Sequence, residues 1–547
     1  VYDSYIKAFR WATDRLDKQC GGVIGFVTNG AWLDSNGLDG FRKSIENEFS
    51  AIYVFNLRGN QRTSGELSRK EGGKIFGSGS RTPIAITILV KQLNHSGKAK
   101  IHYYDIGDYL SREDKLNIIS KTKHIDNLDL VDLYPNEYGD WINQRNDKFS
   151  EYIPIEPGKK FDGKSNSWFN TYVIGIATNR DAWVYGFSQS EVEKNMKRMI
   201  DFYNDQVEKY KKQEIEELIL SSSDISWTRG LKKEATKGNI MRYDKNMFRI
   251  GIYRPYCKQH IFYSRSFIES PGLWNQIFPT ENHKNLVIAV SGIGQQKPFA
   301  SFVSDNIADL QVVDKAQCFP LYYYEKRNVQ EQTLFDNEQD EYVRRDAVSD
   351  FILKQARAIY GPRVQKEDIF YYVYGFLHSE KYRETFAADL KKMLPRIPLV
   401  ESPQYFWAFS EAGRRLADLH LNYETIEPYR GCITLFGAYD NINYRVEKMR
   451  FVNKVDKTKI QYNNQITIEN IPLEAYEYVV NGKSAIEWIM ERYAVTTDKA
   501  SGITNDANDW ATEQGDEKYI YNLLLRIINL SLQTVEIVKK LPDVKFE

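Results

Sequence analysis

Apolar side chains recur at helical spacing from the start of the chain, where Tyr5, Ile6, Phe9, Trp11, Ala12 and Leu16 predict a helix over 1–18. Gly21-Gly22 ends it. The unbroken run Val23-Ile24-Gly25-Phe26-Val27 then predicts a strand buried on both faces, the pattern of a parallel sheet. A helix over about 38–49, a strand over 51–57, a long loop and an apolar strand over 84–90 follow. Ile101 to Tyr104 reads as a further strand and Leu116 to Thr122 as short helical material, in an otherwise polar stretch from about 92 to 160 that leads out of a first domain.

Three strands with two helices do not complete a doubly wound sheet, whose ligand site needs a Gly-rich turn after an early strand and a switch in strand order. The remaining strands are expected upstream of Val1, and the chain reads as cut. Beyond residue 160 the pattern changes to short aromatic-rich segments punctuated by Gly, Pro and Asn, with a helix over about 188–220. Helices return at about 347–360, 367–377, 381–393 and 412–419, then a strand-rich patch to Val480, then helices at 485–493 and 519–541. The expected fold class is α/β followed by α+β.

Length and composition agree with several cores. A chain of 547 residues exceeds what one hydrophobic core supports, and 42% hydrophobic with 14% aromatic content is ample for burial. Lys+Arg and Asp+Glu are both 74, so no global positive field draws the chain onto nucleic acid or an anionic membrane, and any basic surface is local. The longest apolar runs are of strand length, and no signal peptide precedes the first helix. Cys20, Cys257, Cys318 and Cys432 form no CxxC pair, which fits a reducing cytoplasm.

Chemistry-bearing motifs are sparse. The seven histidines show neither HxH nor HExxH spacing, and no metal site is expected. Asn481-Gly482-Lys483-Ser484 resembles the end of a P-loop, but the first glycine of that motif would fall on Glu477. No compact Asp…Glu-x-Lys arrangement stands on a strand, so no catalytic residue is assigned and cleavage chemistry is expected elsewhere.

The loop from Asn56 to Arg81 is unlike the rest. Arg58, Arg62, Arg69, Lys70, Lys74 and Arg81 stand against Glu66 and Glu71, and six glycines allow its backbone to approach a ligand closely. A solvated surface loop is the bland reading of such a charge run. A structureless connection this long inside a sheet domain is uncommon and usually functional, which favours contact with a phosphate backbone or target base. Phe76 is placed to stack on an extruded base or, equally, to pack under the loop as a lid.

Three further stretches mix cations, amides and aromatics: Trp227, Arg229, Lys232 and Lys233; Arg254, Lys258 and Gln259; Gln295, Gln296 and Lys297. Arg, Lys and Gln are the side chains that read guanine and adenine edges. Taken singly, each stretch is better explained as packing with snorkelled heads. Their joint presence is the signal for sequence readout.

The wording Asp3-Ser4-Tyr5-Ile6-Lys7-Ala8-Phe9-Arg10-Trp11-Ala12, Leu57-Arg58-Gly59-Asn60-Gln61-Arg62-Thr63, Tyr253-Arg254-Pro255-Tyr256-Cys257-Lys258-Gln259 and Leu416-Ala417-Asp418-Leu419-His420-Leu421-Asn422-Tyr423-Glu424 resembles type ISP restriction-modification enzymes. These join a nuclease, a helicase-like ATPase, an adenine-specific methyltransferase and a target-recognition domain in one polypeptide. The resemblance implies that 1–160 is the C-terminal half of a Rossmann-like methyltransferase sheet, and that 161–547 is a large mixed target-recognition domain in one lobe or two.

It also implies double-stranded DNA as partner, together with the upstream methyltransferase, ATPase and nuclease domains of the same polypeptide. S-adenosylmethionine, ATP and Mg are the implied cofactors of the full-length enzyme. The family's Gly-rich cofactor motif and its Asn-Pro-Pro-Tyr motif do not occur in this sequence, so the chain alone is expected to bind no cofactor and to be inactive. Phe76 falls where related adenine methyltransferases carry a second base-stacking aromatic. The rival readings are a self-sufficient transferase acting on a small substrate and a protein-interaction scaffold.

Overall fold

The computed structural model describes residues 3–17, 19–63, 65–77, 79–157, 166–327, 341–438, 441–453 and 455–546. The chain forms two compact units. The first is Val1–Glu151 with Ile293–Pro298 and Phe386–Met393, and the second is Tyr152–Gly292, Phe299–Thr385 and Leu394–Glu547. The domain boundary expected at 160 lies outside the described residues.

In the first unit the elements run α1 (Ser4–Thr13), β1 (Gly22–Asn29), α2 (Asp39–Glu48), β2 (Ala51–Arg58), α3 (Gly65–Glu71), β3 (Ile84–Lys91), β4 (Lys100–Asp105), α4 (Arg112–Thr122) and β5 (Val131–Leu133). Asp3 caps α1 by accepting from the backbone N–H of Tyr5 and Ile6, and Ile6 and Phe9 turn into the core. The sheet order is β1-β3-β2-β4-β5. β3 is antiparallel to both β1 and β2, and β2 is parallel to β4, so β1, β2 and β4 run the same way.

The expectation for Val23–Val27 needs correction. β1 is not buried on both faces: Val23 is 63% and Val27 54% exposed, while Ile24 and Thr28 point inward. Its hydrogen-bonded neighbour is antiparallel and it ends the sheet order, and a strand so placed needs only one covered face. An apolar run cannot distinguish that case from a strand sandwiched between helices.

Aromatic packing anchors this unit. Trp32 meets Phe41 and Trp141 edge-on, each with ring centroids 5.4 Å apart, and Trp141 donates its indole N–H to Glu46 at 2.6 Å. A second apolar group, Phe55, Leu57, Ile75, Ile84 and Ile106, lies where β2 ends and the basic loop begins.

The second unit carries a continuous apolar core from Val173 to Val535. Its small sheets include the antiparallel pair β6 (Phe248–Arg254) and β7 (Cys257–Phe262), and its helices include α5 (Gln189–Lys211) and α6 (Arg229–Thr236). α5 stops short of the expected end near 220, where Gln213 takes a left-handed φ of 59°. The helix expected over 381–393 divides into Glu380–Thr385 and Ala387–Lys392. The one expected at 412–419 is longer, Pro403–Leu421, because Ser402 caps it and proline is tolerated in a first turn. No helix among the described residues is long and apolar enough to cross a membrane.

Candidate nucleic-acid interface

The segment between β2 and β3 is not structureless: residues 65–71 form α3, and hydrogen bonds tie the loop's two arms together. Gly59 N–H donates to the Glu71 carbonyl at 3.1 Å, Gln61 N–H to the Arg81 carbonyl at 3.0 Å, and the Gln61 amide to the Gly72 carbonyl at 3.0 Å. Asn60 N–H donates to the Glu71 carboxylate at 2.9 Å. Ser64 and Ser78 of this loop lie outside the described residues.

The six cations separate into two kinds. Arg58, at a left-handed φ of 53°, closes the base of the loop through ion pairs to Asp105, at 2.6 Å, and to Asp108. Arg69 pairs with Glu66 one turn away on α3. Arg62, Lys70, Lys74 and Arg81 make no ion pair among the described residues. Arg62, Lys70 and Arg81 are exposed and Lys74 is half-buried. Ile75 is the residue that packs under the loop, whereas Phe76 is 47% exposed.

The glycines divide as well. A Cβ at Gly72 would collide with the Leu110 carbonyl and one at Gly73 with the backbone of Arg112, so these two serve close packing within the protein. Gly77 and Gly79, beside Phe76, have open space where a side chain would be.

Among the stretches expected to read bases, the second unit leaves α6 open. Thr228 caps this helix by accepting from Leu231 N–H, and Leu231 and Ala235 are its buried face. Arg229 and Lys233 are exposed and Lys232 half-buried, and none makes an ion pair among the described residues. Trp227 is half-buried, with its indole N–H on the Ile219 carbonyl at 3.0 Å and its ring 5.8 Å from that of Tyr203.

Three expected readers are instead held by the fold. Arg254 stacks on Tyr253 and pairs with Asp309 at 2.7 Å, in a cleft of about 520 Å³ that Asp181, Trp183 and Gln311 also line. Burial pushes the Asp309 carboxyl up to about 6 in spite of that arginine. Lys258 pairs with Glu424 at 2.6 Å. Gln259 is 3% exposed and shows no amide to solvent.

The turn containing Gln295, Gln296 and Lys297 belongs to the first unit. Gln295 is buried, donating to the Leu390 carbonyl at 3.0 Å, while Gln296 is exposed and Lys297 half-buried. Burial thus takes Gln259 and Gln295 out of reach of a groove. Charge pattern alone did not show it, because a glutamine whose amide donates to a backbone carbonyl, as Gln295 does, or to a buried thiol, as Gln259 does to Cys257, has the same letter as one facing water.

Comparison with known proteins adds three findings. A family model, the Type ISP C-terminal specificity domain, matches residues 167–523. No curated protein matches. Among solved structures, a nuclease-deletion mutant of the Type ISP restriction-modification enzyme LlaGI, in complex with a DNA substrate mimic, is 42% identical with a TM-score of 0.86 over 99% of this chain and 48% of that one. The ATP-dependent Type ISP restriction-modification enzyme LlaBIII bound to DNA is 38% identical, TM-score 0.86, over 100% of this chain and 34% of that one. The DrdV–DNA complex is 29% identical, TM-score 0.83, over 99% and 52%. The chain therefore spans between a third and about half of the proteins it resembles.

Proposed function

Because the chain belongs to the Type ISP specificity-domain family, we propose that it recognises a specific duplex DNA sequence within a restriction-modification enzyme that methylates adenine. LlaGI, LlaBIII and DrdV are each described in complexes with DNA or a DNA mimic, and the likeness extends over nearly all of this chain. The observation that carries the reading is the set of cations left without carboxylates among the described residues: Arg62, Lys70, Lys74 and Arg81 on the loop after β2, and Arg229, Lys232 and Lys233 on α6. In a protein of zero formal charge, such local groups of cations supply phosphate contacts and base-edge donors.

In this reading the first unit is the C-terminal part of a Rossmann-like methyltransferase sheet. Its co-directional β1, β2 and β4 suit a mainly parallel doubly wound sheet with one reversed strand. β1 ends the strand order, so in this reading its outer backbone edge is where upstream strands would add. The Gly-rich cofactor motif and Asn-Pro-Pro-Tyr are absent from the sequence. S-adenosylmethionine and the target adenine are therefore assigned to upstream residues of the full polypeptide, as are ATP, Mg and cleavage. The rest of the chain supplies recognition, and the exposed Phe76 a stacking surface for a displaced base.

Selection of bound duplexes from a random pool tests this. Enrichment of one asymmetric sequence is expected of a single reader without a dyad; recovery of unselected sequence would contradict the reading.

A further inference from the structure

Helix α4 lies beside the basic loop and holds its backbone through two cations. Lys115 is fully buried and makes no ion pair among the described residues. Its ammonium donates to the carbonyls of Glu71, at 2.6 Å, and Gly73, at 2.9 Å, which lie at the C-terminal end of α3. A cation there satisfies helix carbonyls that have no partner of their own and complements the negative end of the helix. One turn earlier on α4, Arg112 donates its Nε to the Ile75 carbonyl at 2.8 Å, next to Phe76.

The approach is close because glycines permit it. Gly73 N–H donates to the Leu110 carbonyl at 2.9 Å, and Tyr109 N–H to the Lys70 carbonyl at 3.1 Å. Gly59 and Gly72 take left-handed φ values of 88° and 68°. Burial pulls the Lys115 ammonium below the usual lysine range, so the buried charge is held at a cost that two carbonyls offset. A methionine would fill the same space without that cost. What it could not do is fix where α3 ends and where Lys70, Lys74 and Phe76 stand.

We propose that Lys115, assisted by Arg112, is a positioning residue for DNA engagement: it caps α3 from α4 and sets the path of the loop whose unpaired cations meet the phosphate backbone. This rests on the reading of that loop as a DNA contact. Lys115 itself, being buried, touches no phosphate.

The test is a salt titration of duplex binding, by fluorescence anisotropy, for the chain carrying Lys115→Met, Lys115→Arg or Arg112→Ala. A companion variant replaces Arg62, Lys70, Lys74 and Arg81 by Ala. Lys115→Met, which removes both bonds to the loop carbonyls, should weaken binding about tenfold, and should flatten the salt dependence although no phosphate-facing cation was removed. Lys115→Arg, which keeps donors for both carbonyls, should recover part of both. If Lys115→Met does not fold, Arg112→Ala, at the first position of α4, should show the same flattening to a smaller degree. Wild-type affinity and slope in a folded Lys115→Met protein, or in Arg112→Ala where it stands in, overturn the proposal. If the loop variant alone flattens the slope, the loop reading stands and positioning by Lys115 is wrong; if the loop variant changes nothing either, the loop reading itself fails.

Discussion

Lys392 Nζ lies 3.2 Å from Asp140 Oδ1, and both side chains are almost fully shielded from solvent. Arg145 reaches the same carboxylate at 3.1 Å and Arg42 at 3.8 Å, while Lys392 also donates to the Asn143 carbonyl at 2.6 Å. Burial works against ionisation of Asp140, yet Lys392 and its neighbours hold the carboxyl below its ordinary value. Removing one partner from such a cluster leaves uncompensated buried charge. Lys392→Met should cost about 3–5 kcal/mol in urea denaturation, and a loss under about 1 kcal/mol would show that the cluster is solvated in solution.

Ile75 and Phe76 are adjacent but serve different ends. Ile75 packs with Phe55, Leu57, Ile84 and Ile106, so Ile75→Ala should lose about 2–5 kcal/mol of stability. Phe76 is 47% exposed, and Phe76→Ala should change stability by no more than about 0.5 kcal/mol. Equal effects in thermal unfolding would mean that Phe76 is a lid after all.

His420 is enclosed in the second unit, its Nδ1 2.6 Å from the Tyr374 hydroxyl, its Nε2 3.0 Å from Thr534 Oγ1 and its ring stacked 5.2 Å from that of Tyr478. Burial pushes its pKa down to about 3. The unfolded chain therefore takes up this proton first, near pH 6.5, while the folded chain refuses it. The contribution is complete above about pH 6.5 and falls towards pH 3 by about 1.4 kcal/mol per unit. The stability gap between the wild type and His420→Gln should accordingly narrow between pH 7.5 and pH 5. A gap independent of pH in that window would contradict a neutral, proton-excluding imidazole.

Arg229 and Lys258 both looked like readers, and the structure predicts that they behave differently. Arg229 is exposed on α6 without an ion pair among the described residues, so Arg229→Ala should alter which duplexes are enriched from a random pool. Lys258 is committed to Glu424, and Lys258→Ala should lower stability and leave the preferred sequence unchanged. A shift in preference from Lys258 alone would place the readout surface around β7.

Much of the first unit was legible from hydrophobic periodicity, because alternation and helical spacing report directly which side chains face a core. The order α1, β1, α2, β2, loop, β3 came through in that way. Sheet direction did not: Val23 and Val27 are apolar yet exposed, and only the pairing of β1 with β3 shows that one face suffices. The loop read as structureless because α3 has no buried residue, so it leaves no apolar stripe. The separation of Arg58 from Arg62, or of Gln295 from Gln296, depends on carboxylates and carbonyls distant in sequence. Lys115 gave no signal at all, being one lysine in a charged segment without an apolar stripe, and its partners are backbone atoms.

If the loop after β2 grips the DNA backbone, as proposed, through cations that carry no ion pair among the described residues, the salt dependence of duplex affinity measures it most directly. Replacing Arg62, Lys70, Lys74 and Arg81 by Ala should weaken binding to every duplex and reduce the slope of log K against log salt by about 0.9 for each phosphate no longer neutralised. The same slope and affinity as the wild type, in a variant that is folded, would contradict it.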